Sequence, residues 1–226
     1  MAFKDKYWKT NVETFFSYQG KKYMGQWPTF REMMEISEER FPDNEAFKAI
    51  VPKVVTFTYK EALKKIREIA YYLIASGAKK GDHIAVTGKN SPEWALAYFA
   101  ISFAGCIIVP LDYSLHIEDM EKILAFGDVD RIFIDGEKID EIDKEGKLFK
   151  EKISLEPESK GHKYVLDLTG PETELPKLHA EDTAAMLFTS GTTGTPKGVM
   201  LSFSNFMSST LSSQRLFDVY PTDVFY

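Results

Sequence analysis

One hydroxyl- and glycine-rich segment, residues 189–198, holds the side chains of this 226-residue chain that are best suited to chemistry. Its three glycines permit positive φ and close approach of backbone N–H groups to a ligand, and its five hydroxyls add donors. Lys197 adds a positive charge, and the preceding Pro196 restricts the backbone there. Such a surface suits phosphate oxygens. The predicted phosphate-binding residues are Thr189, Ser190, Gly191, Thr192, Thr193, Gly194, Thr195, Lys197 and Gly198.

The residues around this segment distinguish between several kinds of glycine-rich loop. Apolar runs at residues 184–188 and 199–201 flank it, which predicts a strand, a loop and a second strand. A kinase-type or GTPase-type P-loop needs Gly-Lys-Ser/Thr at the start of a helix, whereas here Pro196 precedes Lys197 and Gly-Val-Met-Leu follows. The composition alone is equally typical of a flexible linker, but linkers are not usually flanked closely by two buried-type strands.

The elements that must position this segment alternate between helices and strands. Residues 60–75 carry an apolar helical face, preceded by a capping box formed by Thr58 and Glu61. Ser91 and Pro92 start a second helix that is apolar almost all round, which a helix tolerates only between layers of protein. The further predicted elements are strands at 82–87, 106–109, 131–134 and 164–168 and a helix at 117–126. The alternation indicates an α/β fold with a doubly wound parallel sheet and helices on both faces.

The chain divides into three predicted parts. Residues 1–28 form an N-terminal extension, residues 29–178 a first α/β subdomain, and residues 179–226 the truncated start of a second subdomain that carries the loop. The second boundary follows the Gly- and Pro-containing, linker-like composition of residues 169–177. Residues 135–163 carry dense mixed charge, so we expect a peripheral helix and loop there with no chemistry.

Composition excludes several functional classes. The net charge of −6 builds no field for DNA or RNA, so we expect no nucleic-acid partner. Cys106 is the single cysteine, which excludes an intramolecular disulfide and favours a reducing, cytoplasmic compartment, and the four histidines lack zinc-ligand spacing. No segment approaches the roughly 20 apolar residues of a membrane span. The lysines and aromatic residues of segment 4–22 leave contact with a membrane surface open as the less favoured reading.

The ordered run TSGTTGTPKG at 189–198 resembles the phosphate-binding loop of adenylate-forming enzymes, a superfamily of acyl-CoA synthetases, peptide-synthetase adenylation domains and luciferase-like enzymes. TFTYKEAL at 56–63 and FAGCIIVPLD at 103–112 are similar to the first two core motifs of that family and stand in the same order. ERFPDNEAF at 39–47 is similar to its opening segment. One position departs from the pattern, since Phe203 stands where the family usually has histidine.

The resemblance implies an ATP-dependent acyl-CoA ligase, which joins a carboxylic acid to ATP, releases pyrophosphate and passes the acyl group to CoA. It implies ATP, Mg²⁺ and CoA as cofactors, with Thr189 as the loop hydroxyl that reaches the metal, and a fatty acid as the favoured substrate. Family members continue for several hundred residues. We therefore expect a fragment with no catalytic residues of its own and no activity alone.

Two alternatives follow from the same residues. A stand-alone nucleotide-binding or interaction module would use the loop without completing a reaction. A structural protein with an incidental loop would place no phosphate near Lys197. An abruptly ended sheet would also leave an unpaired edge, so we expect dimerisation, strand exchange or aggregation of the isolated chain.

Overall fold

Two hydrophobic cores lie on opposite faces of one seven-stranded sheet in the computed structural model, which describes residues 27–51, 53–157, 159–189, 196–214 and 223–225. Helices α1, α2 and α3 cover one face and α4 the other. The helices are α1 (Phe30–Arg40), α2 (Tyr59–Ala75), α3 (Pro92–Phe103), α4 (Ile117–Phe126), α5 (Gly136–Ile139) and α6 (Phe203–Gln214). The strands are β1 (Glu45–Ala49), β2 (Val55–Thr58), β3 (His83–Thr87), β4 (Ile107–Pro110), β5 (Val129–Ile134), β6 (Glu151–Ser154), β7 (Lys163–Tyr164), β8 (Thr183–Thr189) and β9 (Lys197–Ser202).

The strand order of the large sheet is β7-β6-β5-β3-β4-β8-β9, and every neighbouring pair is parallel except the antiparallel pair β8–β9. Strand β3 shows why two cores form, because its successive side chains point to opposite faces. Ile84 and Val86 belong to the core beside α2 and α3, whereas Ala85 belongs to the core beside α4. The predicted α/β fold with a parallel, doubly wound sheet is confirmed.

Local signals explain where the helices begin and end. Thr58 and Glu61 form the predicted capping box, and Gly77 closes the end of α2 with a φ of +94°. The side chain of Ser91 accepts a hydrogen bond from the backbone N–H of Trp94 at the start of α3. Helix α3 packs against β3 and β4 as well as α1, α2 and β1, which confirms its predicted place between layers.

Some segments differ from the sequence predictions. Residues 135–163 contain β6, a full member of the parallel sheet, as well as the expected short helix α5. The strand predicted at 164–168 is wrong beyond Tyr164, since a 3₁₀ turn at Val165–Asp167 buries Val165 instead of continuing the ladder. Helix α1 and the separate hairpin β1–β2 are not among the elements predicted from the sequence.

The expected division at residue 178 falls between strands of one sheet. Strand β8 follows that boundary and pairs in parallel with β4, with Ala185 opposite Ile108. The division into three parts stays a prediction. Most of the expected N-terminal extension, residues 1–26, lies outside the described residues. In the part of the chain that the structure describes, no helix is long and apolar enough to cross a membrane.

The connection between β7 and β8 is held closely against the helical layer. A Cβ atom added to Gly170 would lie 2.5 Å from the backbone carbon of Tyr71 and the backbone nitrogen of Tyr72 in α2. Further along, the guanidinium group of Arg31 donates to the carbonyl oxygens of Pro176, at 2.9 Å, and Phe103, at 2.6 Å. This connection therefore ties α1, α2 and α3 to the strand that precedes the predicted loop.

Replacing Gly170 with alanine should destabilise the fold, because the backbone of α2 cannot move aside as a flexible side chain would. We expect Gly170→Ala to lower the free energy of unfolding by about 2 to 3 kcal/mol in urea titrations followed by circular dichroism. The control is Gly146→Ala, where φ is +65° and the Cβ meets nothing within 4 Å, so only the backbone cost of about 1 kcal/mol applies. An equal or smaller loss for Gly170→Ala would contradict the close approach.

Candidate functional site

The predicted phosphate-binding segment joins two hydrogen-bonded strands. Strand β8 ends at Thr189 and β9 begins at Lys197, and these two residues are directly paired across the antiparallel ladder. The backbone thus brings the first and last parts of the segment side by side, as the strand–loop–strand prediction requires. Residues 190–195 and the side chain of Thr189 lie outside the described part of the structure, so their roles stay predictions.

The described end of the segment combines an exposed cation with a close backbone contact. Lys197 is exposed, and Gly198 pairs with Phe188 on β8. A Cβ atom on Gly198 would lie 3.1 Å from the sulfur of Met186 and 3.3 Å from the ring of Phe188. Glycine at this position therefore lets the two side chains of β8 lie over β9.

The loop lies at the carboxyl edge of the parallel sheet. Strand β8 runs parallel to β4, so Thr189 ends on the same edge as the residues that follow β4, β3 and β5. Adjacent strands are about 4.8 Å apart. Ligands of open α/β sheets bind outside the carboxyl ends of the strands, near the point where the strand order reverses. Here the reversal is at β3, which has β4 on one side and β5 on the other.

A polar cluster occupies this edge beside the reversal point. The ammonium group of Lys89 lies 2.6 Å from one carboxylate oxygen of Glu137, and the hydroxyl of Tyr113 donates to the other at 2.7 Å. The ammonium group of Lys138 lies 4.3 Å from the centre of the Tyr113 ring and donates to the carbonyl oxygen of Leu115 at 3.0 Å. The cluster joins the ends of β3, β4 and β5 into one surface.

Electrostatics within the cluster follow from these contacts. The hydrogen bond from Lys89, followed by that from Tyr113, lowers the pKa of the Glu137 carboxyl, and the same contact raises the pKa of Lys89. Desolvation, followed by the hydrogen bond to Glu137, raises the pKa of Tyr113. Glu137 is therefore held ionised and Tyr113 protonated at neutral pH, which fixes the direction of the hydrogen bond between them.

Asp135 is the buried carboxylate of this edge. One oxygen accepts the backbone N–H of Lys89 at 2.9 Å, and a Cβ atom on Gly88 would lie 2.4 Å from the other. Asp135 is 3% exposed, and burial raises the pKa of its carboxyl group above the usual value. Asp112, which ends the second core motif, is exposed and accepts the backbone N–H of Ser114 at 2.8 Å, which lowers its pKa.

Sequence reasoning missed this cluster, and one signal points to it. Asp112 and Asp135 lie just beyond the ends of β4 and β5, each after a run of apolar residues, which is where a parallel sheet presents polar side chains at its carboxyl edge. Lys89, Tyr113 and Glu137 are separated along the chain and share no motif. Their meeting depends on the strand order β5-β3-β4, which local patterns do not specify.

Phe203, where the family usually has histidine, is a packing residue. It is 2% exposed, and its ring lies edge-on to that of Phe30 with 5.2 Å between centres. Ser202 caps α6, because its hydroxyl accepts the backbone N–H of Asn205 at 3.3 Å. The contact between Phe203 and Phe30 thus joins α1 to α6, the helix that follows β9.

Cys106 behaves as a small buried hydrophobic residue. It is 2% exposed, and desolvation raises the pKa of its thiol to about 12. Across the described ranges, no group of three His, Cys, Asp or Glu side chains stands close enough together to hold a metal ion. The oxygen-rich loop suits Mg²⁺ by donor chemistry alone, since that ion prefers oxygen ligands.

The chain thus combines a doubly wound sheet with a hydroxyl- and glycine-rich sequence that connects β8 to β9 at the carboxyl edge. The profile of the AMP-binding enzymes matches residues 34–226, and the chain belongs to that family. The family expected from the loop and the two core motifs is therefore confirmed.

Several curated relatives cover much of this chain. It is 31% identical over 180 residues to L-proline–[L-prolyl-carrier protein] ligase of Streptomyces coelicolor, covering 74% of this chain and 34% of that protein. It is 30% identical over 192 residues to crotonobetaine/carnitine–CoA ligase of Salmonella arizonae, covering 78% and 37%. Long chain acyl-CoA synthetase 5 of Arabidopsis thaliana is 29% identical over 209 residues, covering 81% and 31%. The chain thus spans about a third of these relatives.

Solved structures share the fold. A long-chain-fatty-acid-CoA ligase from Archaeoglobus fulgidus superposes with a TM-score of 0.72 at 20% identity, covering 86% of this chain and 42% of that one. The N-terminal subdomain of NpsA from Klebsiella oxytoca gives 0.67 at 22% identity, covering 80% and 44%. At these identities the likeness supports the architecture.

The two aspartates of the carboxyl edge should respond to pH with opposite signs. Asp135 has a raised pKa in the folded state, so its contribution to stability is lost as the pH rises through that pKa. We expect Asp135→Asn to gain stability relative to the unaltered chain between pH 4 and pH 7. Asp112 has a lowered pKa in the folded state, so its contribution to stability is present above the unfolded value of about 3.9 and is lost as the pH falls below it. Asp112→Asn should therefore be less stable than the unaltered chain between pH 4 and pH 7.

Urea unfolding of both variants at several pH values measures these differences. The two substitutions control for each other, because both remove one carboxylate from the same edge of the sheet. The assignment of Asp135 as a buried, disfavoured anion is wrong if its variant follows the same pH trend as the Asp112 variant.

Proposed function

We propose that this chain is the nucleotide-phosphate-binding part of an ATP-dependent acid–thiol ligase, which forms an acyl-AMP and pyrophosphate from a carboxylic acid and ATP. The observation that carries the proposal is the pairing of Thr189 with Lys197 at the carboxyl end of β8. This pairing closes the TSGTTGTPKG sequence into a hairpin loop on the edge where α/β sheets bind ligands. Because the chain spans about a third of its relatives, activity belongs to a longer protein in this proposal.

The chemistry assigns the loop a role in stabilising charge. The substrate carboxylate attacks the α-phosphorus of ATP, the bond to the β-phosphate oxygen breaks, and negative charge grows on the departing pyrophosphate. Backbone N–H groups, hydroxyls and the Lys197 ammonium group of the loop hold the β- and γ-phosphates while this happens. Removal of one such donor from a well-formed site costs about 3 to 4 kcal/mol of transition-state stabilisation. Mg²⁺ would accompany the phosphates, with the hydroxyl of Thr189 as its protein ligand, and would neutralise part of their charge.

The acyl acceptor and the acid are proposed from the relatives. The relatives named above are a carrier-protein ligase, a CoA ligase and an acyl-CoA synthetase. Two descriptions name long-chain acyl or fatty-acid substrates, so we propose CoA as acceptor and a fatty acid as substrate. A cytoplasmic setting accords with a single thiol, Cys106, that is buried and unpaired.

The isolated chain should bind ATP without turning it over. The chain spans about a third of the length of its relatives, so we propose that the rest of the active site is supplied by the remainder of a longer protein. We propose that pyrophosphate release is absent from the 226-residue chain. Sustained release of pyrophosphate from ATP and a fatty acid by the purified chain would overturn this part of the proposal, whereas binding alone is also what a stand-alone nucleotide-binding module would show.

The outer strand of the sheet also bears on assembly. Val199 and Met200 on β9 are 46% and 48% exposed, and β9 is the last strand of the sheet in the described ranges. We propose that the isolated chain associates through this edge, as a homodimer or by strand exchange. A monodisperse monomer by light scattering would contradict the association without affecting the proposed chemistry.

Lys197→Ala should weaken ATP binding, because it removes the cation that faces the phosphates. A charge-assisted hydrogen bond contributes about 1.5 to 3 kcal/mol, and its loss corresponds to a dissociation constant roughly 10- to 150-fold higher. Isothermal titration calorimetry with ATP and with AMP measures the change, and AMP binding should move less because it lacks the β- and γ-phosphates.

The matched control is Lys144→Ala, which removes an exposed lysine from the surface loop after α5 and should leave the affinity for ATP unchanged. If both variants bind ATP as the unaltered chain does, the loop does not hold the phosphates and the proposed function fails.

A further inference from the structure

The hairpin tip, defined as Ile50, Val51, Lys53 and Val54 between β1 and β2, exposes large apolar side chains. Ile50, Val51 and Val54 are 56%, 81% and 61% exposed, while Pro52 lies outside the described residues. Eight large hydrophobic side chains are exposed in the described ranges, and three of them fall in these four described positions. The tip therefore concentrates apolar surface that the two cores do not use.

The base of the hairpin is anchored, so this exposure is built into the fold. Phe47 and Phe57 are paired across the two strands and pack against the core beside α2 and α3. The ring of Phe47 stacks on that of Phe99 in α3, with 6.0 Å between centres and 29° between planes. With its inward-facing aromatic residues held in this way, the hairpin presents its tip outward as a projection.

The charge around the tip is opposite in sign to that of the chain. Residues 46–60 contain Lys48, Lys53 and Lys60 and no aspartate or glutamate, although the whole chain carries a net charge of −6. Lys48 lies 2.9 Å from Glu45 at the base of the hairpin, and Lys53 lies within the tip itself and is exposed. Lys53 thus places a cation within the apolar tip, while the cation of Lys48 is paired with Glu45.

We propose that the hairpin tip binds the surface of an anionic lipid bilayer. Ile50, Val51 and Val54 would enter the boundary between headgroups and acyl chains, while Lys48 and Lys53 would stay level with the lipid phosphates. A convex projection suits a bilayer, which deforms around it, better than a protein surface, which would need a matching groove. Lysines near an anionic leaflet are attracted to its negative potential, which falls off within a Debye length.

This membrane contact is independent of nucleotide binding. The hairpin and the loop at 189–198 belong to different sheets, since β1 and β2 pair only with each other and β8 and β9 belong to the seven-stranded sheet. The Lys197→Ala variant should therefore bind vesicles as the unaltered chain does, so failure of the proposed function would leave this inference standing.

Sedimentation with vesicles tests the proposal on the full 226-residue chain. The unaltered chain should co-sediment with vesicles of phosphatidylcholine and phosphatidylserine at 3:1, and less with phosphatidylcholine alone or at high salt. The triple variant Ile50→Ser/Val51→Ser/Val54→Ser should lower the partition coefficient at least roughly tenfold, because three apolar side chains no longer leave water. Lys48→Glu/Lys53→Glu should lower it while keeping the apolar tip.

Two controls separate the tip from other surfaces. Val224→Ser/Phe225→Ser removes two other exposed apolar side chains, 61% and 78% exposed, and should leave the partition unchanged. Circular dichroism of the triple variant should match that of the unaltered chain, since the altered side chains are exposed. Full vesicle binding by the triple variant overturns the proposal and assigns binding to another segment, such as residues 4–22.

A fluorescent label at the tip gives a second, local readout. Cys106 is buried, so a polarity-sensitive thiol dye on Val51→Cys should label the new cysteine, and its emission should shift to the blue on adding anionic vesicles. The same dye on Lys144→Cys, in the loop that packs with the core on the opposite face of the sheet, should not shift. An unshifted emission at position 51, or self-association that the triple variant abolishes without any vesicle binding, overturns the membrane assignment; the second result indicates a second copy of the chain as the occupant.

Discussion

The parallel pairing of β8 with β4 is the constraint on which the candidate site depends. Ala184 and Ala185 of β8 are fully buried, so their backbone N–H and C=O groups must find partners on neighbouring strands. With β4 on one side and β9 on the other, these groups have such partners, and the direction of β8 follows. Its end at Thr189 must then fall on the edge that also carries Asp112 and Lys89. The small alanine side chains allow both faces of the strand to be covered.

The two cores act together to keep this edge in place. Helices α2 and α3 cover one face of β3 and α4 the other, so the reversal point of the sheet is packed from both sides. Arg31 and Gly170 add a fixed path for the connection that leads into β8. The polar cluster of Lys89, Tyr113 and Glu137 then closes the carboxyl edge with charged hydrogen bonds. Packing and edge chemistry therefore support the same geometry.

Much of the fold was predictable from local patterns, and the remainder depends on long-range pairing. The helix at Ile117–Phe126 and the strand before the loop follow from periodicity, and the loop itself from its ordered motif. Strand β6, with the sequence Glu-Lys-Ile-Ser, escaped prediction because four residues with charges at one end give no clear period. The contact between Lys89 and Glu137 could not be predicted, since it depends on β5 crossing to the far side of β3.

The hairpin β1–β2 and its capping box also show what a motif match leaves out. Residues 56–63 match a family core motif, and their structural roles follow from ordinary rules: Phe57 packs inward and Thr58 caps α2. The strand partner of that motif, β1, carries only a short apolar stretch and pairs with nothing else. The place of β1 is set by the long-range pairing of Phe47 with Phe57, which local patterns do not specify.

The distance along the chain between β4 and β8 has a consequence for how the protein reaches its final state. Ile108 and Ala185 are opposite each other in the sheet although they are far apart along the chain. During synthesis, β8 and β9 emerge adjacent in the chain and need only a short closure to pair, whereas docking on β4 must close a long stretch of polypeptide. Strand β4 leaves the ribosome before β8, so the strand that receives the hairpin is already present, and the carboxyl edge of the sheet is complete only when the long closure has joined the two.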